Sequence, residues 1–174
     1  MLNTFIENSI LNKDEILSLV NSFDTNGRLL YGGSRNAIKI FEINDYIINI
    51  KSFKVPNFIN TIVYKYFRKS KARRSFEFAN ILLENKIGTS RPIAYFENSN
   101  FLGLKDSYYI SEHLNCDLTF RELVEIPDFP ENEIILRQFT RFSYDLHQKG
   151  IEFLDHSPGN TLIKKGNNGN YEFF

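Results

Sequence analysis

Between Arg28 and Lys54 the chain breaks into three short runs separated by turn residues, and no other stretch restricts the fold so tightly. Arg28 to Tyr31 meets Gly32-Gly33-Ser34, Ala37 to Ile43 follows, and Asn44-Asp45 then precedes the isoleucine-rich run Tyr46 to Phe53. Strand-forming residues bounded by Gly, Asn and Asp predict three successive antiparallel strands, the second and third joined by a two-residue turn. Pro56 closes the run.

The flanking segments supply helices and further strands. Residues 12–23 predict a helix, with Asn12 as N-cap, Asp14 and Glu15 in the first turn, and Ile16, Leu17, Val20 and Phe23 at helical spacing. Residues 58–86 read as helical, with Phe76, Ala79 and Leu83 on one stripe and Gly88 as the stop. Pro92 to Phe96 and Ser107 to Ser111 predict two strands, with residues 98–106 as the loop between them. Beyond Pro127 and Pro130, Ile135, Phe139, Phe142 and Leu146 form a helical stripe ending at Lys149-Gly150. Thr161 to Ile163 and Tyr171 to Phe174 predict a closing hairpin. The expected class is α+β with two lobes: a helical extension over 1–27, a sheet-containing first lobe over 28–114 and a partial second lobe over 115–174.

Composition narrows the function classes. With 42% hydrophobic and 24% charged residues the chain is an ordinary globular protein and not a disordered one. A net charge of zero argues against nucleic-acid binding by bulk charge. The lone Cys116 suits a reducing compartment. The N-terminus lacks the basic and apolar regions of a secretory signal, and no run approaches the length of a membrane span, so a cytoplasmic protein is expected.

The stretch Leu154-Asp155-His156-Ser157-Pro158-Gly159-Asn160 carries chemistry. Phosphoryl transfer needs a carboxylate to orient or accept a hydroxyl proton and an amide oxygen to hold a metal beside the phosphates. Asp155 and Asn160 are five residues apart, with Pro158-Gly159 between them, an amphipathic helix before and an apolar strand after. A capped turn, in which both side chains bond local backbone, would also satisfy that spacing. Upstream, Lys51 is the one charge in the run Ile47 to Phe53. Alternation puts Ile48 and Ile50 on the opposite face and leaves Ile47 and Phe53 on its own. A lysine on a half-apolar face calls for a partner, or else snorkels to solvent.

Leu146 to Ile151 followed by Phe153 to Asn160 closely resembles the bacterial lipopolysaccharide-core sugar kinases, the Kdo and heptose kinases, which are relatives of eukaryotic-type protein kinases. The resemblance spans roughly residues 30 to 174, and Phe153 stands where protein kinases usually carry His. It implies a protein-kinase-like two-lobed fold with an antiparallel-sheet first lobe and ATP as phosphoryl donor. Asp155 would then be the catalytic base, Asn160 a ligand of Mg2+ or Mn2+, and Lys51 the phosphate contact. Glu77 would anchor Lys51, with Glu84 as the fallback. Gly32-Gly33 would be the phosphate-covering turn, or else an ordinary hairpin turn. The segment Ser111 to Leu114 would bond the adenine through its backbone, at Glu112 and Leu114. A protein Ser/Thr or Tyr kinase and an antibiotic-type phosphotransferase share the same Asp and Asn and stay open, as does a non-catalytic nucleotide-binding or scaffold module of a different class.

Six cations, Lys65, Arg68, Lys69, Lys71, Arg73 and Arg74, crowd into ten residues after an aromatic stretch. A solvated helix face would account for them, as would contact with an inner-membrane surface over residues 58–74 that docks a lipid-linked core sugar acceptor; nucleic acid is a distant alternative. The family's second metal-binding Asp is missing, since no Asp follows Asp155. The expectation is a C-terminally incomplete or degenerate kinase, weakly active or inactive as it stands.

Overall fold

The computed structural model describes residues 2–5, 10–33, 36–54, 69–100, 103–154 and 157–174. Two compact units divide the chain. One comprises Met1–Glu84 with Ser90–His113, the other Asn85–Thr89 with Leu114–Phe174.

The first unit is built on a six-stranded antiparallel sheet. Its strands are β1 (Leu2–Phe5), β2 (Arg28–Gly32), β3 (Asn36–Ile43), β4 (Tyr46–Lys54), β5 (Pro92–Asn100) and β6 (Gly103–Glu112), in the order β1-β5-β6-β4-β3-β2. The expected meander is β2-β3-β4. Asn44 and Asp45 turn it with φ of 48° and 65°, the doubly left-handed backbone that a tight hairpin demands. Strands β5 and β6 run further than expected, because residues 97–100 and 103–106 keep pairing through a register shift despite their polar side chains. The tail strand β1 pairs with β5 and carries no turn signal in the sequence that would have announced it.

Among the described residues, each face of this sheet carries one helix. Helix α1 (Lys13–Asn21) starts at a complete capping box. The Asn12 side chain accepts from the amides of Asp14 and Glu15 at 3.0 Å, and Glu15 accepts from the Asn12 amide at 2.8 Å. Its Ile16, Leu19 and Val20 bury against Phe41, Ile48, Ile50, Ile93 and Ile110, the larger of the two clusters in this unit. Just beyond the helix, the Lys39 ammonium donates to the carbonyls of Phe23, Asp24 and Asn26 at 2.6, 3.2 and 3.0 Å, tying the α1 exit to β3.

Helix α2 (Lys71–Glu84) covers the opposite face, packing Ala72 and Phe76 on Phe53 and Tyr95. The expected helix over 58–86 is therefore shorter within the described residues, and residues 55–68 lie outside them. At the N-terminal end of α2 the Ser70 hydroxyl accepts from the Arg73 amide at 3.0 Å, satisfying one of the first-turn donors. At the other end the chain leaves the helix at Lys86, where φ is +58°, and not at Gly88.

The second unit combines strands β7 (Leu118–Thr119), β8 (Leu162–Lys165) and β9 (Tyr171–Phe173) with helices α3 (Phe120–Glu125) and α4 (Asn132–Gln148). Strand β7 and helix α3 add to the expected elements, and Thr119-x-x-Glu122 is the capping-box signature that marks the helix start. Glu122 accepts from the Thr119 amide at 2.8 Å, and Thr119 Oγ1 accepts from the Arg121 amide at 3.2 Å. The core is aromatic: Phe139 packs on Phe120, Phe142 and Phe173 at ring separations of 4.8, 6.2 and 5.5 Å. Gln138 on α4 grips the hairpin, donating to the Gly169 carbonyl at 2.9 Å and accepting from the Tyr171 amide at 2.8 Å.

Candidate functional site

Strand register sets the surroundings of Lys51. It stands opposite Ile38 on β3 and Tyr109 on β6, on the face that α2 covers, while Ile48 and Ile50 point into the α1 core and are fully buried. The alternation read from the sequence is thus the one observed. The Lys51 ammonium lies 5.4 Å from the centre of the Phe53 ring, and Phe53 packs on Ala72 and Phe76, the residue before Glu77. Burial pushes the Tyr109 hydroxyl far above its ordinary range, so this neighbour is a neutral phenol that bonds Ser111.

Glu77 has partners of its own on α2 and just before it. Lys69 Nζ donates to both carboxylate oxygens, at 3.0 and 2.9 Å, and Arg73 Nε donates to Oε1 at 2.9 Å. The Lys69 hydrogen bond holds the Glu77 carboxyl below the usual carboxylate range, and Arg73 adds to the effect. The same contact raises Arg73. All three side chains are substantially exposed, so each pair is worth only about 0.2–1 kcal/mol. Glu84, the fallback, is exposed at the last residue of α2.

At the sheet's end, Glu112 donates its amide to the Arg91 carbonyl at 2.9 Å and His113 donates to Ile47 at 2.8 Å. Leu114 opens the longer segment of the other unit. The His113 ring bonds Asn49 through Nδ1 at 3.0 Å, and burial lowers its pKa, which favours neutral imidazole. Asn49 shares the Lys51 face two residues upstream, a polar contact that no sequence pattern had flagged. Gly32 ends β2, and the Gly33 amide closes the turn onto the Asn36 carbonyl at 2.9 Å. Neither glycine has a positive φ, so backbone conformation does not require them; a Cβ on Gly33 would stand 3.2 Å from the Tyr31 hydroxyl.

In the second unit, Asn160 follows the tight turn Pro158-Gly159. Its amide donates to Ser157 at 2.9 Å, and its side chain is exposed just ahead of β8. Asp155 and His156 lie outside the described residues, as do Lys65 and Arg68 of the basic run. Leu154 is 82% exposed, an unusual position for a leucine and one that marks where the chain leaves the core. Among the described residues no group of three or more His, Cys, Asp and Glu gathers to hold a metal, and no helix is long and apolar enough to cross a membrane.

No protein-family model matches the sequence, and no curated protein matches it. Solved structures do match. The chain is similar to WaaP, seen in complex with acyl carrier protein, with a TM-score of 0.57 and 14% identity over 95% of this chain and 68% of that one. It is also similar to the MAP kinase LmaMPK10 from Leishmania major, with a TM-score of 0.50 and 15% identity over 91% of this chain and 48% of that one. The fold is protein-kinase-like. The chain spans about half the length of the MAP kinase.

Proposed function

We propose that the chain is the nucleotide-gripping part of an ATP-dependent phosphotransferase whose acceptor is a sugar hydroxyl of the lipopolysaccharide inner core, Kdo or heptose. The observation that carries the reading is the placement of Lys51. It is the one charged residue in the run Ile47 to Phe53 of a central strand, on the face covered by the helix that bears Glu77, within a kinase-like fold. Lys51 contacts the α- and β-phosphates, and the backbone at Glu112 and Leu114 meets the adenine. Asn160 supplies one amide oxygen to Mg2+ or Mn2+ and Asp155 serves as base. A hard cation of this kind takes its remaining ligands from the nucleotide's phosphates and water, so one exposed amide on a tight turn is a donor set that fits it. The sugar acceptor rests on the resemblance of residues 146–160 to the core-sugar kinases, and contact of residues 58–74 with the inner membrane surface would bring enzyme and acceptor together.

Calorimetric titration with Mg·ATP tests the donor half. Binding that weakens about tenfold in Lys51→Met, equivalent to about 1.4 kcal/mol, supports the reading, whereas an Mg·ATP isotherm with no heat in the parent chain sinks it. Transfer from ATP to Kdo-lipid A or heptosylated core, lost in Asp155→Ala, tests the acceptor half. A non-catalytic nucleotide-binding module is the second reading, favoured by the attachment of Glu77 to Lys69 and Arg73. It predicts Mg·ATP binding without transfer to any acceptor.

A further inference from the structure

We propose that Lys69 and Arg73 form a binding site for a phosphate-bearing ligand, and that this ligand competes with Glu77 for the two cations and so releases the Glu77 carboxylate. The binding step stands on geometry alone; its consequence for catalysis rests on the phosphotransferase reading.

Lys69, Arg73 and Glu77 succeed one another at intervals of four. Arg73 and Glu77 therefore share one stripe of α2, and Lys69 reaches the same carboxylate from just ahead of the helix. Three hydrogen bonds converge on this carboxylate, so the two cations already hold an oxyanion. The Ser70 hydroxyl, bonded to the Arg73 amide, fixes the backbone between them, and Ser70 is itself buried. Lys71 and Arg74 add positive charge on either side, and Arg74 Nε is buried without a hydrogen-bond partner among the described residues.

The side chains of Lys69 and Arg73 are 52% and 42% exposed, so a ligand can reach them with Glu77 in place. A phosphate monoester carries more charge than a carboxylate and three acceptor oxygens, which an arginine can engage in pairs. Exposed ion pairs of the Glu77 kind are weak and screened, so little is lost when the two cations exchange Glu77 for a phosphate. Released, Glu77 lies one residue past Phe76 on the helix that covers the Lys51 face, where it can serve as the lysine's anchor. Occupancy of the basic site and grip on the nucleotide are then coupled, each ligand tightening the other by the same factor.

The test follows Glu77 directly. In protein labelled with 13C at glutamate side chains, the Glu77 carboxyl titration is recorded in the parent chain with and without inorganic phosphate. It is recorded again with phosphatidylglycerol or phosphatidylcholine vesicles, and in Lys69→Ala/Arg73→Ala. The expected result is an upward move of the Glu77 titration with phosphate or with the anionic vesicles, matching the double variant, and none with phosphatidylcholine. A response to vesicles alone assigns the site to lipid headgroups, and a response to both assigns it to phosphate groups in general. A Glu77 titration that ignores every anion overturns the proposal. Mg·ATP affinity read in parallel should rise about tenfold in the double variant, within the usual range of site-to-site coupling. Unchanged affinity refutes the coupling, whereas a parent that binds no Mg·ATP refutes the phosphotransferase reading and leaves the Glu77 titration to decide the anion site.

Discussion

Replacing Gln138 by Leu should loosen the β8-β9 hairpin without unfolding the second unit. The Gln138 amide makes two bonds across one turn of backbone, to the Gly169 carbonyl at 2.9 Å and from the Tyr171 amide at 2.8 Å. Their losses differ. Gly169 is exposed, so water replaces the donor at little cost. Tyr171 is only 9% exposed, and its amide would be left facing an apolar leucine. A neutral hydrogen bond contributes about 0.5–1.5 kcal/mol net, and a buried donor left without an acceptor costs about 1–3 kcal/mol. The expected loss is about 2 kcal/mol, nearly all of it at Tyr171. Amide hydrogen exchange reads this residue by residue: Tyr171 should exchange roughly 30-fold faster, since about 1.4 kcal/mol corresponds to a factor of ten. Ile163, paired across to Phe173 deeper in the unit, should change much less. Gln138→Glu separates the two bonds, because a carboxylate still accepts from Tyr171 but repels the Gly169 carbonyl, and Tyr171 should then stay close to the parent. Equal protection of Tyr171 in the parent and Gln138→Leu would refute the assignment of the clamp.

Three further outcomes are expected. Ile50→Ala empties a fully buried position in the α1 core and should cost about 2–5 kcal/mol, read as a lower urea midpoint for the first unit. Gly27 has φ of +84° and a Cβ there would come within 2.6 Å of the Phe41 ring, so Gly27→Ala should destabilise by more than about 1 kcal/mol, and a thermal midpoint equal to the parent's would contradict the packing. His113 has its pKa depressed in the folded chain, so the unfolded chain binds the proton more readily; the parent should lose stability relative to His113→Gln as pH falls below the ordinary imidazole value of about 6.5, with a gap independent of pH above it. A gap between the two melting curves that is constant from pH 8 to pH 5 would show that burial does not control this imidazole.

The meander was legible because each of its signals acts over a few residues. Asn44-Asp45 sets its own backbone, and alternation around Lys51 needs only the pleat. Helix α1 was legible for the same reason, since the Asn12 and Glu15 exchange is local. Strand β1 and the outer halves of β5 and β6 are different. Polar residues such as Asn98 and Ser99 have little strand preference, and it is the partner strand that holds them extended. The first turn of α2, like that of α1, is set locally, by the Ser70 hydroxyl that accepts from the Arg73 amide.

The candidate site divides along the same physical line. The face on which Lys51 stands was legible because a strand's two faces are decided by parity, and the sheet turned that parity into a position on the α2 side. The partner of Glu77 was not, because an α-helix offers a carboxylate several cations at similar spacing. Arg73 lies four residues away on α2 and Lys69 eight residues away just ahead of it, and no ordering of sheets is needed to bring them in. Lys51 reaches the same helix only after three strands have paired. A short-range contact forms at lower entropic cost, so a carboxylate with both choices takes the local one unless something else engages the local cations. The basic run and the glutamate, read from the sequence as separate features, are therefore one electrostatic unit. In the proposed coupling, its state decides whether the helix on the Lys51 face presents an anion to the lysine or keeps it for itself.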